Sequence, residues 1–477
     1  MLGTTVGLRV VSILATIVLA RLLDPADFGL VALAFVVLST VELIAPLGLP
    51  AALIQRQVDR EQAAYQVFLV TITTGVVLYL AVSLGAGVLA GALGNERLAQ
   101  VIPWMGLLVV LGGFTRVPEA LMEKEMMFKR LSAIMIATDI LYIACALGLA
   151  LLGYGVWSLV VAHVAKAVLA LGMSWAMSPG WGWLRRKPWN APLMRDLLRF
   201  GMSNVGSRSV YFFFTNVDNL VVGRQLGATA LGYYSKAFDF TTKTVDNINR
   251  TIGIVLFPSY AKIQHDRERL SAAYLKSLRM ISSVTVPLAM GIFITAPELV
   301  PVVLGSRWAP MIPILQILAL MSLVKPLSST TSALFNAMGR PGYNLRAGLV
   351  VCAVLVPLMF ALLWMGPEGV AFAVFAAHVA GLAYNVYQVH ILLPGTAPRM
   401  MKSVTPSLLG AAAMVGGIWL SKQPLAAITG TLLHPLTLVG MVLVGALVYA
   451  GVVFLFQRDL VVEVWRLLMH RSEAGKA

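Results

Sequence analysis

Windows of about 20 apolar residues recur along the whole of this chain, and each is long enough for a helix to cross a hydrocarbon core of about 30 Å. Roughly fourteen such spans are expected, at 3–23, 28–50, 66–93, 98–119, 131–152, 156–178, 200–223, 230–257, 277–304, 311–336, 344–365, 369–392, 403–421 and 434–456. The runs are long and continuous. A membrane-barrel strand would instead show short alternations of apolar and polar residues, so helices are expected. Of the 477 residues, 59% are apolar and 12% charged. Soluble domains carry about a quarter charged residues. Too little polar surface remains to wet a globule of this size, which excludes a soluble enzyme and leaves lipid as the solvent. Cys145 and Cys352 both fall inside apolar spans, where they suggest neither a disulfide nor a metal site. The first apolar run begins almost at Met1 and lacks a basic leader or clear cleavage site, so it reads as a span rather than a signal peptide.

The net charge of +15 is unevenly placed. With the N-terminus in the cytoplasm, the cytoplasmic segments hold 23 Lys and Arg and the opposite segments hold 5: Arg21, Arg97, Arg224, Arg307 and Lys422. This is a positive-inside pattern. It predicts an even number of spans with both termini cytoplasmic, and it makes the basic balance a matter of topology rather than nucleic-acid binding. Anionic lipid headgroups are an expected secondary contact.

The chain also copies itself. Arg21, Leu23, Gly29, Ala34 and Phe35 return at a constant offset of 203 as Arg224, Leu226, Gly232, Ala237 and Phe238. Asp59-Arg60-Glu61 returns as Asp266-Arg267-Glu268, and Ala162-His163-Val164-Ala165 as Ala377-His378-Val379-Ala380. The repeating unit is six helices. An even unit enters from the same side in both copies, giving a parallel repeat about an axis along the membrane normal, an architecture suited to alternating access. The expected fold is all-α and integral to the membrane: an N-terminal lobe at 1–180, a basic, Trp-rich cytoplasmic linker at 181–199, a second lobe at 200–395, two additional helices at 396–456 and a tail at 457–477.

Polar residues inside the spans mark candidate function. In span 8, Lys236, Asp239, Lys243, Asp246 and Arg250 are spaced 3, 4, 3, 4, which keeps all five on one helix face with alternating sign. Each would cost about 2.5–3.5 kcal/mol at the bilayer centre, so the stripe should face protein or water. It suits a cavity wall meeting a charged or sugar-bearing substrate. The bland alternatives are a salt-bridge ladder between helices or an amphipathic helix near the interface. Span 7 contributes Asn204, Arg208, Tyr211, Thr215 and Asp218 at helical spacing, and span 1 contributes Thr5, Arg9, Ser12 and Thr16. Arg9 and Arg208 carry the inference, because guanidinium groups grip phosphate through two bonds; helix-end snorkelling is the alternative for each. Glu42 and Asp139 are intramembrane acids that suit ion coupling or helix pairing. Arg116 and Glu119 read as a local pair, and Lys166 and Lys325 as residues near helix ends, with a cavity-facing position as the alternative for Lys325. His163 and His378, repeated in both lobes, read as packing residues. Pro46, Pro103, Pro118, Pro287 and Pro357 read as kink sites. No phosphate-binding Gly loop, metal-ligand spacing or nucleophile elbow is visible, so neither a cofactor nor enzymatic activity is expected.

The run from Ala20 to Ala32, containing Leu23-Asp24-Pro25-Ala26-Asp27-Phe28-Gly29, resembles the first-hairpin signature of bacterial polysaccharide transporters. So do Leu47-Gly48-Leu49, Ala51 to Arg56, Asn216 to Gly223, Leu226-Gly227, Leu231 to Tyr234 and Phe257-Pro258. These look like lipopolysaccharide and exopolysaccharide flippases of the multidrug/oligosaccharidyl-lipid/polysaccharide exporter superfamily. The resemblance covers almost the whole chain. It implies a two-lobed transporter of the bacterial cytoplasmic membrane with a central cationic cavity. Its cargo would be a polyprenyl-pyrophosphate-linked oligosaccharide, and polysaccharide polymerase and export proteins would be its candidate partners. In one departure, family members carry a short basic stretch before the first helix, whereas this chain begins inside it; either the start codon is misassigned or the first helix is short. The rivals are a multidrug/cation antiporter of the same superfamily, a peptidoglycan-precursor transporter, and a membrane-embedded polymerase or glycosyltransferase. An antiporter for cations would want an acid-dominated cavity, and spans 1, 7 and 8 offer five basic groups against three acidic ones.

Overall fold

The computed structural model describes the backbone of residues 2–456, and the side chains of that stretch except those at 2–10, 203–204, 206–215 and 242–255. The expected tail at 457–477 lies outside the described residues. The elements run α1 (Leu2–Leu22), α2 (Pro25–Ile44), a short α3 (Leu49–Gln55), α4 (Arg60–Leu84), a short α5 (Ala86–Ala92), α6 (Leu98–Lys124), α7 (Phe128–Leu151) and α8 (Val156–Ala176). A 3-10 turn at Gly182–Leu184 leads to α9 (Ala191–Val221), a π-helical turn (Val222–Leu226) and α10 (Gly227–Lys262). Then follow α11 (Arg267–Val303), α12 (Ile312–Ala337), α13 (Gly342–Ala361), α14 (Pro367–Leu392), α15 (Thr396–Thr429) and α16 (Pro435–Phe456). Among the described residues there is no strand. Among the described residues, eleven helices are long and apolar enough to cross a bilayer: α2, α4, α6 to α8, and α11 to α16. The expected spans 1, 7 and 8 fall on α1, α9 and α10, each of which includes side chains outside the described set. The protein is a multi-pass helical membrane protein.

The structure redraws several expected boundaries. Span 2 does not run through Pro46 as a kinked helix. It ends at Ile44, turns through Leu47 (φ 48°) and Gly48 (φ 67°), and restarts as α3. Two successive left-handed residues cannot continue a right-handed helix. Span 3 is divided at Gly85 into α4 and α5. The end of the expected linker is already helical. The Asn190 side chain accepts the Leu193 amide at 3.0 Å, and Pro192 stands in the first turn, so α9 starts at Ala191.

The chain divides into two compact units, Met1–Gly232 and Tyr233–Ala477. In the first, Leu49, Leu53, Val67, Leu121, Trp183, Leu193, Met194 and Leu197 form one buried cluster. Trp183 stands edge-on to Phe68 at 5.2 Å, and its indole N–H donates to the Gly180 carbonyl at 3.0 Å. The Trp-rich segment is thereby stapled to the bundle rather than left as a free tether.

In the second unit, α15 packs along α11 with a fixed register. Ser271 meets Thr396 at 2.7 Å and Ser282 meets Ser407 at 3.2 Å, both at a sequence separation of 125. The Lys422 ammonium meets Glu298 at a separation of 124. A separation that stays constant as both numbers rise means that α11 and α15 run parallel. Small hydroxyl residues let two helices approach closely and bond across the seam. Tyr449 of α16 completes it by donating to the Ser283 carbonyl at 2.8 Å.

Candidate functional site

The first hairpin is built from its sequence one residue at a time. Asp24 has extended backbone angles and caps α2, Pro25 occupies the first turn, and the Asp27 carboxylate accepts the Asp24 amide at 3.3 Å. This is a capping box built with two aspartates. Phe28 is buried, and Gly29 follows.

Gly29 has to be glycine. A Cβ there would lie 1.6 Å from the Ala228 carbonyl oxygen, and a Cβ on Gly232 would lie 1.9 Å from the Pro25 carbonyl oxygen. Subtracting the repeat offset of 203 turns Gly232 into 29 and Ala228 into 25. The two contacts are therefore the same contact seen from each copy of the repeat. A contact in which i meets j′ while j meets i′ has a two-fold axis passing through it. The signature that marks the repeat in the sequence is the place where its two copies touch, backbone to backbone, within the first unit.

A second glycine contact holds the other end of α9. A Cβ on Gly48 would lie 2.2 Å from the Gly201 carbonyl oxygen, and one on Gly201 would lie 2.2 Å from the Leu47 carbonyl oxygen. The end of α2 thus meets the early part of α9, and its start meets the residues just past the end of α9, so the two helices run antiparallel. Leu47-Gly48-Leu49 gains its meaning here: glycine serves both the left-handed turn and the close approach.

The charged stripe is partly described. Tyr234, Ala237 and Thr241 are fully buried on α10, spaced 3 and 4 residues apart. At 100° per residue, Lys236 and Asp239 fall nearly opposite that face, and both are half-buried. Lys243, Asp246 and Arg250 continue the same spacing, but their side chains lie outside the described residues, as do those of Arg9 and Arg208. Asp218 is 5% exposed on α9, and its carboxylate accepts the Asn219 amide at 2.8 Å.

Of the other acids, Glu42 lines a cavity of about 10 Å³ together with Thr71, Gly113 and Arg116, room for about one water. Arg116 lines this cavity beside Glu42. Asp139 of α7 is ion-paired to Lys166 of α8 at 2.5 Å. Lys166 is not near a helix end: it is the midpoint of α8, and Asp139 is close to the midpoint of α7. His163, one turn from Lys166, packs between Phe35 at 4.8 Å and Tyr142 at 4.6 Å. His378 contacts the Val374 carbonyl of the preceding turn at 2.8 Å.

Sequence reasoning passed over one pair. Glu298 and Lys422 are bonded at 2.7 Å with side chains only 7% and 18% exposed, and Lys422 also donates to the Ile294 carbonyl at 3.3 Å. Lys422 was assigned to an outer loop, but α15 continues past it to Thr429. The available signal was Glu298 itself, an acid within an apolar span that needs a partner.

The chain resembles known proteins along most of its length. It is 25% identical over 398 residues to the lipopolysaccharide biosynthesis protein WzxC of Escherichia coli (strain K12), covering 79% of this chain and 80% of that protein. It is 30% identical over 316 residues to the succinoglycan biosynthesis transport protein ExoT of Rhizobium meliloti (strain 1021), covering 66% and 63%. A solved structure of the lipid II flippase MurJ in an inward closed conformation shares the fold, with a TM-score of 0.77, 15% identity, and 96% and 98% of the two chains covered. Residues 18–313 match the polysaccharide biosynthesis protein family, and that stretch contains both hairpin signatures with their paired glycines. The chain belongs to the polysaccharide biosynthesis protein family.

Proposed function

We propose that this protein is a flippase: it carries a polyprenyl-pyrophosphate-linked oligosaccharide from the cytoplasmic to the outer leaflet by alternating access, for lipopolysaccharide or exopolysaccharide assembly. It is a transporter and not an enzyme. It sits in the bacterial cytoplasmic membrane with both termini inside, the orientation that the 23-to-5 distribution of basic residues favours.

One observation carries the reading: the reciprocal contact of Gly29 with Ala228 and Gly232 with Pro25. These residues stand at the hairpins that the proposed orientation puts on the outer side. Backbone packed on backbone excludes water and solute. In the proposed cycle this contact is the outer closure of the inward-open state. Arg9, Arg208, Lys236, Lys243 and Arg250 grip the pyrophosphate, while Asp218, Asp239 and Asp246 weaken that grip enough for release. Sugars occupy the hydrated cavity and the polyprenyl tail stays in lipid. Lobes at 1–180 and 200–395 then rock about the repeat axis, with Glu42 and Asp139 as candidate ion-coupling acids. A polymerase and export proteins would take over the delivered cargo.

The test is to delete the gene and complement it with wild type or with Lys243→Ala, then extract membrane lipids. Accumulated polyprenyl-pyrophosphate oligosaccharide with lost surface polysaccharide, rescued by wild type and not by the variant, supports a flippase with Lys243 in its cavity. Normal lipids and normal polysaccharide, in a strain with no redundant copy, overturn the reading in favour of the drug antiporter.

A further inference from the structure

The first turns of α9 carry a surface that the transport cycle does not use. An open groove of about 590 Å³ runs along them, lined by Trp189, Met194, Arg195, Leu198, Arg199 and Met202. Arg195 and Arg199 are exposed and four residues apart, so their guanidinium groups stand one above the other. Neither has an ion-pair partner among the described residues. The nearby acid, Asp196, approaches Arg56 instead, at 3.9 Å. The rest of the lining is apolar, with Trp189 55% exposed and Met202 52% exposed.

The depth of this groove follows from helix length. A helix of 31 residues is about 46 Å long at 1.5 Å per residue, against a hydrocarbon core of about 30 Å. If the outer end near Val221 stands at the outer boundary of the core, the core holds about the last 20 residues of α9. The turns from Ala191 to about Gly201 then project through the headgroup layer on the basic side. Arg195 and Arg199 are at the level of lipid phosphates with Leu198 between them, and Met202 is at the start of the acyl chains. Trp189 has the amphipathic ring that favours this interface. The surface is a fixed wall, because Leu193 and Leu197 anchor the other side of these turns in the buried cluster, which Met194 joins from the floor of the groove.

We propose that this groove binds one anionic phospholipid of the cytoplasmic leaflet. Its phosphodiester is held by Arg195 and Arg199, and its acyl chains start along Met202. Charge complementarity selects the occupant. Two unpaired guanidinium forks match a phosphate, and the apolar strip beneath them matches lipid tails, which a soluble anion lacks. The polyprenyl-pyrophosphate cargo shares the phosphate chemistry. The groove is committed to the phospholipid, because it is shallow and open, and its two guanidinium groups suit the oxygens of a single phosphodiester. The side of the membrane is taken from the proposed orientation; binding itself does not depend on flippase activity.

The test uses the full-length protein purified in neutral detergent. Phosphatidylglycerol, phosphatidylcholine, inorganic phosphate and a polyprenyl pyrophosphate are titrated in turn, and bound lipid is counted by native mass spectrometry. Phosphatidylglycerol is expected to bind in preference to phosphatidylcholine. Arg195→Gln with Arg199→Gln should weaken it by about 30-fold, the effect of removing two juxtamembrane cations. Arg195→Lys with Arg199→Lys should keep most of the binding. Both positions are exposed, so the thermal melt of each variant should match wild type. Equal retention of phosphatidylglycerol by the glutamine variant overturns the proposal. So does equal binding of the two phospholipids, stronger binding of polyprenyl pyrophosphate at this site, or binding of inorganic phosphate alone.

Discussion

Gly29 and Gly232 are equivalent residues of the two repeats, and each is packed so closely against the other copy that a single added carbon would sit inside a backbone carbonyl. This relationship joins two things: the repeat in the sequence and the signature at the two hairpins.

Alanine at either glycine should force the two hairpins apart, because the obstructing atoms are backbone and cannot rotate away. Overpacking of this kind costs about 1–3 kcal/mol, so transport should fall about tenfold or more with Gly29→Ala or Gly232→Ala. Adding Ala228→Gly should not rescue Gly29→Ala, since the clash is with a carbonyl oxygen and not a methyl group. Gly87→Ala, where nothing lies within 4 Å, is the control and should be neutral. Surface-polysaccharide yield at matched protein level reads all four.

The Glu298–Lys422 pair should behave as a buried ion pair that ties α15 to α11. Lys422→Ala leaves a buried carboxylate uncompensated and should cost about 3–5 kcal/mol. Replacing both residues with leucine should recover most of that loss. Thermal unfolding of wild type, Lys422→Ala and the double leucine variant in one detergent measures these differences. Equal stability of Lys422→Ala and wild type would contradict the pairing.

Asp139 and Lys166 separate a structural role from a coupling role. Asp139→Asn leaves Lys166 unpaired near mid-membrane, at about 2.5–3.5 kcal/mol on insertion scales, and should lower the amount of folded protein. The exchange Asp139→Lys with Lys166→Asp should restore that amount. If Asp139 also couples an ion, the exchanged protein should be abundant yet lose gradient-driven transport; if it only pairs helices, both should return.

The membrane class, most spans and the repeat were legible in the sequence, because apolar run length and internal similarity survive without knowledge of contacts. Of the polar stripe, Lys236 and Asp239 lie opposite the buried face of Tyr234, Ala237 and Thr241, as their spacing of 3 predicts, while Lys243, Asp246 and Arg250 lie outside the described side chains. Partners were not legible. Nothing near Gly29 names a carbonyl about 200 residues away, and nothing near Lys166 names Asp139 on the preceding helix. Basic residues were read as helix ends or loops, which misplaced Lys166, Lys325 and Lys422: Lys325 lies mid-way along α12, and Lys166 and Lys422 are each held inside a helix by a carboxylate on another. The start of α9 was hidden by its own charge. Arg195 and Arg199 suggested a linker, while the capping Asn190 and the buried Leu193, Met194 and Leu197 were the local signs of a helix.

The most direct measurement is transport by the purified protein alone. Proteoliposomes would be loaded with a fluorescent polyprenyl-pyrophosphate oligosaccharide in both leaflets, and a membrane-impermeant quencher added outside. A flippase predicts that wild type brings nearly all of the label within reach of the quencher, while Gly29→Ala and Lys243→Ala, reconstituted at the same density, leave the inner half protected. Protection of the inner half by wild type as well, in vesicles where the protein is shown to be folded and whichever ion gradient is imposed, would contradict the central claim.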